Sequence, residues 1–262
     1  MTLKIIIFIG CLIVFSLILI SIYFITKLFK KNNFNSINNN NNYNNNNDKI
    51  YFEIENFLND EECNLLINDA KPTLQRSKVM SVNDKKEYFD KIDNVRTSHQ
   101  TWIKGDKYDN IRDKVENLVN KYSKIPITKK QFEDIQIARY KPNQEYKYHY
   151  DICHPSQADP VHLNTCKLDY EKYNSVRYIT VILYLNDGYK EGETYFTKLD
   201  KKIIPKKGKA LIFFNCNYNF DTEKNGLCDV INNSEHAGLP VKEGKTDEKW
   251  IANIWIRTKN LY

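Results

Sequence analysis

The chain has 262 residues, of which 41% are hydrophobic and 13% are aromatic, enough apolar material for one sizeable folded domain. Its 39 lysines and arginines against 33 aspartates and glutamates give a formal net charge of +6. These basic residues are scattered along the chain and form no dense arginine-rich stripe. We therefore read the charge as a solvated surface and expect no nucleic-acid binding.

An uncharged apolar segment lies near the start of the chain, at residues 5–26, and reads IIIFIGCLIVFSLILISIYFIT. It is long enough to cross a bilayer as a helix. A cleaved signal peptide is the alternative, but the apolar run exceeds the usual signal-peptide core and no small-x-small cleavage site follows it. We expect a single-pass membrane anchor with a basic flank over residues 1–31.

Three lysines follow the apolar segment and one precedes it, so the positive-inside rule leans only weakly towards a cytoplasmic domain. The cytoplasmic and lumenal sides both stay open. Residues 32–48 are asparagine-rich, have almost no apolar content and predict a disordered tether. The folded domain is expected over residues 49–262.

The six cysteines include no CxxC motif. Local disulfides between Cys153 and Cys166 and between Cys216 and Cys228 are compatible with an oxidising compartment. A structural zinc site built from Cys153, His154 and Cys166 is the alternative, although it lacks the paired close spacing of such sites.

Two helices are expected early in the folded domain. Asn59 with Glu62 three residues later forms a capping pair, and Pro72 limits the helix that begins there. A second amphipathic helix lies within residues 108–124, where the apolar positions that share one face are Ile111, Val115, Leu118 and Val119. No helix is expected after it.

Strand patterns dominate the rest of the chain: DIQIARYKP, EYKYHYDI, VRYITVILYLND, GETYFTKL, KKIIPKKGKALIFFN and KWIANIWIRT. Their spacing predicts an antiparallel sandwich or jelly roll, with RYITVILYLN as a central strand and the helices against the outside of one sheet. Between Cys153 and Arg177 lies a long polar stretch, which we interpret as a loop that acts as a lid.

The run YKYHYDICH contains the first candidate metal ligands, His149 and Asp151. In an extended segment the two side chains point the same way, about 7 Å apart. A third ligand is available late in the chain as His236, which could otherwise be a surface histidine in a turn. Two histidines and one carboxylate on one face form the facial triad of non-haem Fe(II) oxygenases.

Lys249 begins the last strand, on a face that continues with Ile251, Asn253, Trp255 and Arg257. A lysine that points into the barrel needs an anionic partner. A dicarboxylate co-substrate that chelates the iron at one end would supply this partner at the other end.

These motifs together resemble the catalytic domain of the prolyl 4-hydroxylase family of Fe(II)/2-oxoglutarate dioxygenases. The resemblance covers residues 51–257 and consists of FLNDEECNLLINDAKP, VRTSHQTWI, IARYKPNQEYKYHYD, RYITVILYLND, GETYF and HAGLPV followed by KW, in this order. It implies a double-stranded β-helix (jelly roll), here preceded by one transmembrane helix.

The resemblance implies that His149, Asp151 and His236 bind the iron and that Lys249 pairs with the distal carboxylate of 2-oxoglutarate. Lys249 lies further from His236 than the family's lysine usually does. We explain this by a short insertion in KEGKTDE, since the Lys-Trp pair is preserved. By spacing alone, Lys245 is the alternative.

Tyr140 lies at the motif position that implies a hydrogen bond to the same carboxylate, and Thr180 is a candidate for lining the co-substrate pocket. Glu193 and Thr194 are interpreted as mainly structural. No catalytic residue is expected beyond the metal and co-substrate residues.

The implied reaction is the 4-hydroxylation of peptidyl proline, in which O2 is consumed and 2-oxoglutarate is decarboxylated to succinate and CO2. The expected cofactors are ferrous iron, Fe(2+), and L-ascorbate. The expected partner is a Pro-rich or collagen-like peptide. Hydroxylation of another side chain, such as peptidyl lysine, is the nearest alternative. An inactive, membrane-tethered binding module is the alternative from another class.

Overall fold

A computed structural model describes residues 49–82 and 88–261 of the chain. The expected anchor at residues 1–31 and the expected tether at residues 32–48 lie outside these described residues. Within the described residues, no helix combines the length and the apolar character that a membrane crossing requires.

The described residues contain four α-helices, and the first two match the sequence prediction. The helices are α1 Asp60–Ala70, α2 Asp109–Val119, α3 Leu163–Tyr173 and α4 Phe220–Asn225. At the start of α1, Asn59 accepts from the Glu62 backbone N–H and Glu62 accepts from the Asn59 backbone N–H, at 2.8 and 2.9 Å. This reciprocal capping satisfies two amide groups that the first turn would otherwise leave unpaired.

Seventeen strands, against four α-helices in the described residues, confirm that the protein is mainly β. In chain order they are β1 Tyr51–Ile54, β2 Gln75–Arg76, β3 Val79–Val82, β4 Tyr88–Lys91, β5 His99–Ile103, β6 Ile135–Tyr140, β7 Tyr146–His149, β8 Arg177–Tyr184, β9 Lys190–Glu191, β10 Thr194–Phe196, β11 Lys201–Ile203, β12 Ala210–Phe214, β13 Cys216–Asn217, β14 Asp229–Val230, β15 His236–Gly238, β16 Val241–Lys242 and β17 Lys249–Arg257.

Two antiparallel sheets form the body of the domain. The large sheet has seven strands in the order β1-β12-β8-β17-β6-β5-β2, and the small sheet has four in the order β11-β10-β15-β7. Three two-stranded ribbons, β13-β14, β16-β9 and β3-β4, accompany them among the described residues. This mainly β architecture is consistent with the jelly roll that the strand spacing predicts.

The large sheet is buried on both faces. One face packs against α1 and α2, through residues such as Leu66, Val115 and Ile254. The other face packs against the small sheet, through residues such as Ile182, Phe196 and Ile251. The helices therefore cover the outside of one sheet, as expected, and the space between the two sheets is left for a site.

The central position of β8 and β17 explains why these strands are apolar on both faces. β8 lies between β12 and β17, and all nine residues of β17 are buried. Along β17, Trp250, Ala252 and Ile254 belong to the core beneath the helices, whereas Lys249, Ile251, Asn253 and Trp255 line the cavity on the other face. Arg257, expected on that face, bonds instead to Glu133 and Asp169, after a register shift at the end of the strand. The period-two alternation of a strand thus places Lys249 on the inner face.

The polar segment between Cys153 and Arg177 is not a simple loop, so the expectation that helices end after α2 is wrong. It contains α3, which begins after His162 and ends at Asn174, a residue in the left-handed conformation. Two tertiary links fix α3: a disulfide from Cys166 to Cys153, and a pair of hydrogen bonds from Arg257 to Asp169 at 3.1 and 3.0 Å.

Both local cysteine pairs are disulfides. Cys153 is bonded to Cys166, and Cys216 is bonded to Cys228. The zinc alternative that used Cys153, His154 and Cys166 is therefore wrong, because the two thiols are already bonded to each other. In the described part of the chain, the buried Cys63 is the free cysteine.

Candidate active site

Two neighbouring strands of the small sheet bring the three candidate metal ligands together. His149 ends β7, Asp151 follows it, and His236 begins β15. His149 and His236 are partners in the antiparallel register of β7 and β15. One ligand atom from each of the three residues lies within 4.8 Å of the others, so the structure groups them as a metal site requires.

Backbone carbonyl groups fix the orientation of both imidazole rings. Nδ1 of His149 lies 2.7 Å from the carbonyl oxygen of Lys147, and Nδ1 of His236 lies 2.9 Å from that of Ser234. A carbonyl can only accept, so each Nδ1 carries the proton and each Nε2 has a free lone pair. Both Nε2 atoms lie 3.7 Å from an oxygen of Asp151.

The electrostatic state of the cluster suits a divalent cation. Burial, followed by the proximity of His236, lowers the pKa of His149 to about 3, so this ring stays neutral. Burial opposes ionisation of Asp151, but positive charge on His236 and His149, when these rings are protonated, and on Arg177 outweighs burial and lowers the pKa of Asp151 to about 2. Imidazole nitrogens with one ionised carboxylate are a donor set that ferrous iron accepts, so these residues fit the iron that the sequence motifs imply.

The three side chains open into a small cavity between the two sheets. Besides them, its walls include Tyr140, Tyr146, Thr194, Lys249, Asn253 and Trp255. One wall thus comes from the inner face of the large sheet and the other from the small sheet. A recess in which charged and polar groups converge between aromatic and aliphatic walls suits a small, charged ligand.

Lys249 is the positive charge of this cavity. Its side chain is buried, with 1% of the residue exposed, and its Nζ donates to the carbonyl oxygen of Gly192 at 2.7 Å. It lies opposite Tyr140 in the register of β17 and β6, with Nζ 5.3 Å from the Tyr140 ring centre. Burial lowers the pKa of Lys249 to about 8, although the nearby Glu193 acts in the opposite direction.

Among the described residues, no carboxylate forms a salt bridge with Lys249. Its buried ammonium group has a carbonyl hydrogen bond and the faces of the Tyr140 and Tyr184 rings, but no anion. A buried charge of this kind is costly unless an anion pairs with it. Lys245, the alternative by spacing, is exposed on the segment before β17 and does not line the cavity.

The structure places the side chains of Thr180 and Thr194 differently from the sequence prediction. Thr180 does not line the cavity; its hydroxyl donates to Oδ2 of Asp151 at 2.8 Å. Thr194, interpreted as structural, does line the cavity, with its hydroxyl 2.7 Å from the Tyr184 hydroxyl. Each lies in an apolar strand, and only the pairing of distant strands decides what its hydroxyl contacts.

Sequence reasoning also missed a network of charged residues beside the cavity. Glu133 accepts from Arg177 at 2.8 and 2.7 Å and from Arg257 at 2.8 Å, and Arg257 continues to Asp169. The Arg177 guanidinium stacks 3.8 Å from the ring centre of Trp255, a cavity residue. The network therefore joins α3 to the wall of the cavity.

Comparison with known proteins agrees with this site. The 2OG-Fe(II) oxygenase superfamily profile matches residues 135–257, from β6 to the end of β17. The chain is 34% identical over 231 residues to Prolyl 4-hydroxylase 2 of Arabidopsis thaliana, covering 80% of this chain and 68% of that protein. It is 33% identical over 210 residues to a protein of Acanthamoeba polyphaga mimivirus provisionally named a prolyl 4-hydroxylase, covering 80% and 75%.

Among solved structures, the chain resembles the viral collagen prolyl hydroxylase of Paramecium Bursaria Chlorella virus-1 in its 2OG complex. The TM-score is 0.56 and the identity 33%, covering 80% of this chain and 97% of that chain. The chain belongs to the prolyl 4-hydroxylase family of Fe(II)/2-oxoglutarate-dependent oxygenases, as its motifs indicated. It is thus an oxidoreductase of this class.

Proposed function

We propose that residues 49–262 form a domain that hydroxylates peptidyl proline at C4 and decarboxylates 2-oxoglutarate to succinate and CO2. The observation that carries this proposal is the meeting of His149, Asp151 and His236 with the buried Lys249 in one cavity. The relatives named prolyl 4-hydroxylase and the similar viral collagen prolyl hydroxylase support proline as the target.

In this proposal His149, Asp151 and His236 hold the iron. The carbonyl oxygens of Lys147 and Ser234 retain the Nδ1 protons of the two rings, which keeps both Nε2 lone pairs directed at the cation. Bound iron would supply the activation of O2 that couples the oxidation of 2-oxoglutarate to that of the peptide.

The same cavity offers a site for 2-oxoglutarate. Lys249 supplies the positive charge for the distal carboxylate, and the hydroxyl groups of Tyr140 and Thr194 line the cavity with it. The cavity side chains are largely buried, so the ion pair would form with little competition from water. L-Ascorbate is proposed as the reductant that restores Fe(II) after uncoupled turnovers.

The two alternatives remain distinguishable by chemistry. Hydroxylation of peptidyl lysine would use the same metal and co-substrate residues and differ only in the peptide. A binding module without activity would be expected to have lost part of the site, yet His149, Asp151, His236 and Lys249 are all present and grouped. We therefore favour an active prolyl 4-hydroxylase.

For localisation, we propose a single-pass protein anchored through residues 5–26, with its catalytic domain in an oxidising lumen. The disulfides Cys153–Cys166 and Cys216–Cys228 support the lumenal side over the weak lean of the flanking lysines, because such bonds persist mainly in oxidising compartments. Protease protection of the domain in intact microsomes would test this, and digestion without detergent would contradict it.

The activity is tested with the full chain in detergent, supplied with Fe(II), 2-oxoglutarate and ascorbate. The substrates are Pro-Pro-Gly repeats, a Pro-rich peptide and a lysine-containing repeat of equal length. We expect succinate to form together with 4-hydroxyproline, identified by mass spectrometry and amino-acid analysis, and none with Asp151→Ala. Oxygen on lysine instead would favour the alternative substrate, and no succinate with any peptide would favour the binding module.

A further inference from the structure

Two buried hydrogen bonds in series lead from Asn215 through Thr180 to the Asp151 carboxylate. The Thr180 hydroxyl donates to Oδ2 of Asp151 at 2.8 Å, and Nδ2 of Asn215 donates to the Thr180 hydroxyl at 2.9 Å. Thr180 and Asn215 are both fully buried, with 0% exposed. Water therefore has no access to replace either hydrogen bond.

The donor and acceptor properties of the Asn215 amide, the Thr180 hydroxyl and the Asp151 carboxylate allow only one direction of hydrogen bonding. An ionised carboxylate only accepts, so the single proton of the Thr180 hydroxyl must point to Asp151. The Thr180 oxygen is then an acceptor, and the only donor of the Asn215 side chain is its NH2 group. Consistent with this, Oδ1 of Asn215 has no hydrogen-bond partner in the described structure.

The large sheet holds Thr180 and Asn215 in place. Thr180 lies in β8 opposite Phe213 of β12, and Asn215 directly follows β12. The Asn215 backbone donates to the carbonyl oxygen of Tyr178 at 2.8 Å and accepts from the Ile231 N–H at 2.9 Å. The backbone of Asn215 is thus fixed by a hydrogen bond on each side. Its side-chain amide donates to the Thr180 hydroxyl from this fixed position.

Asp151, in contrast, follows the end of β7 and is not itself part of a strand. Its oxygens lie 3.7 Å from Nε2 of His149 and of His236, too far for hydrogen bonds. In the absence of other support, its carboxylate would rotate about the Cβ–Cγ bond and lose the orientation that places one oxygen towards each ring. The Thr180 hydroxyl donates a hydrogen bond at 2.8 Å that opposes this rotation, and the Trp255 side chain also approaches the carboxylate.

We propose that Thr180 and Asn215 are positioning residues, which orient the Asp151 carboxylate and thereby set the affinity of the site for its divalent metal. The inference rests on the proposed function, because it takes Asp151 as a metal ligand. It departs from the ordinary reading of Thr180 as a β-branched residue that merely fills a central strand. Valine fills the same volume without the hydroxyl, so it separates the two readings.

The test measures Mn(II) binding to the full chain in detergent, without 2-oxoglutarate, from the loss of the electron paramagnetic resonance signal of free Mn(II). Loss of a partner that orients a metal ligand typically costs about 10–100-fold in affinity, and we expect this rise in Kd for Thr180→Val. Thr180→Ser keeps the hydroxyl and should have the wild-type Kd for Mn(II). A residue that only packs would not show this rescue.

Asn215→Ala adds a double-mutant cycle. Because Asn215 acts through the Thr180 hydroxyl, Asn215→Ala should raise the Kd in the wild type but add nothing in the Thr180→Val background. Thermal unfolding of the metal-free variants identifies those that fold. If Thr180→Val does not fold, Asn215→Ala decides alone, and an unchanged Kd for it would overturn the proposal.

The measurements separate failure of the positioning role from failure of the proposed function. Wild-type affinity in Thr180→Val, equal losses in the valine and serine variants, or additive losses in the double variant would each overturn the positioning role while the metal site stands. Failure of the folded wild-type chain to take up Mn(II), or uptake that survives Asp151→Ala, would instead overturn the proposed function and this inference with it.

Discussion

His149 and His236 face each other directly across the pair of strands β7 and β15, with ring centres 4.3 Å apart. Each ring is held by a carbonyl oxygen two residues earlier in its own chain segment, so the two Nε2 atoms are presented to one point beside Asp151. This geometry is set by the register of two short strands and by the rings that pack on the imidazoles, Tyr146 on His149 and Phe213 on His236.

The first prediction is that His149→Ala, Asp151→Ala and His236→Ala each abolish turnover and metal binding while the domain stays folded. The three side chains line a cavity and are not members of either hydrophobic core. Their loss removes the ligands and, in packing, only ring contacts such as those of Tyr146 with His149 and of Phe213 with His236. Iron content, succinate formation and thermal unfolding measure the three properties. Asp221→Ala is the control, because the Asp221 side chain is 77% exposed and does not line the cavity. Full activity in His236→Ala would contradict the assignment.

The second prediction separates Lys249 from Lys245. Lys249→Ala would leave the distal carboxylate of 2-oxoglutarate buried without a charge partner, which costs about 3–5 kcal/mol. The concentration of 2-oxoglutarate needed for half-maximal rate should then rise on the order of a hundredfold or more. Lys245→Ala, at an exposed position, should change this concentration little.

Titration of both variants with 2-oxoglutarate, at saturating peptide, measures the difference. A larger effect for Lys245→Ala would mean that the insertion in KEGKTDE has been placed wrongly. A large fall in the maximal rate of Lys249→Ala, with no change in the 2-oxoglutarate requirement, would show that Lys249 serves another purpose.

The third prediction concerns pH. Burial lowers the pKa of Lys249 to about 8, so in the free enzyme its ammonium is present below that pH and is lost as the pH rises through it. The carboxylates of 2-oxoglutarate stay ionised throughout, so kcat/KM for 2-oxoglutarate should fall above pH 8. Lys249→Arg, which keeps its charge, should lack this fall. Identical profiles for both proteins would assign the titration to another group.

The inner face of β17 shows how much of the site the sequence could predict. The period of two in KWIANIWIR placed Lys249 and Trp255 on one face, and both line the cavity. The same local rule grouped His149 with Asp151. Local periodicity sufficed here because each strand keeps its alternation whatever its neighbours are.

Thr180, Thr194 and α3 show where this reasoning ends. The hydroxyl of Thr180 meets Asp151 only because β8 lies beneath the end of β7, a long-range relationship that no local pattern contains. Helix α3 carries few apolar residues and is fixed instead by the Cys153–Cys166 disulfide and by Asp169. Its sequence therefore lacks the amphipathic period by which α2 was recognised.

The fourth prediction tests that anchoring of α3. Asp169 and Arg257 are both buried, and Asp169 accepts two hydrogen bonds from the Arg257 guanidinium. Asp169→Asn removes the charge of one partner, and breaking a buried ion pair typically costs about 3–5 kcal/mol. Glu133 still accepts a hydrogen bond from Arg257, so the guanidinium keeps one anionic partner in the variant. We expect a lower melting temperature. Asp159→Asn, on an exposed side chain before the same helix, should leave it nearly unchanged.

The last prediction concerns the polar segment before α3, which we interpret as a lid. Since α3 is anchored by Asp169 and Cys166, and Gln157 is hydrogen-bonded to Asp229 and Val230, we place the movable part at residues 158–162. Val161 in this part is 83% exposed. Elastase, which cleaves after small apolar residues, should nick the chain at Ala158 or Val161. Closure over bound substrate should slow this nicking when peptide and 2-oxoglutarate are both present, because lids of this kind order when both substrates fill the site. The same peptide with alanine in place of proline is the control and should not protect. Equal rates of nicking with and without the proline peptide would mean that this segment does not close over the cavity.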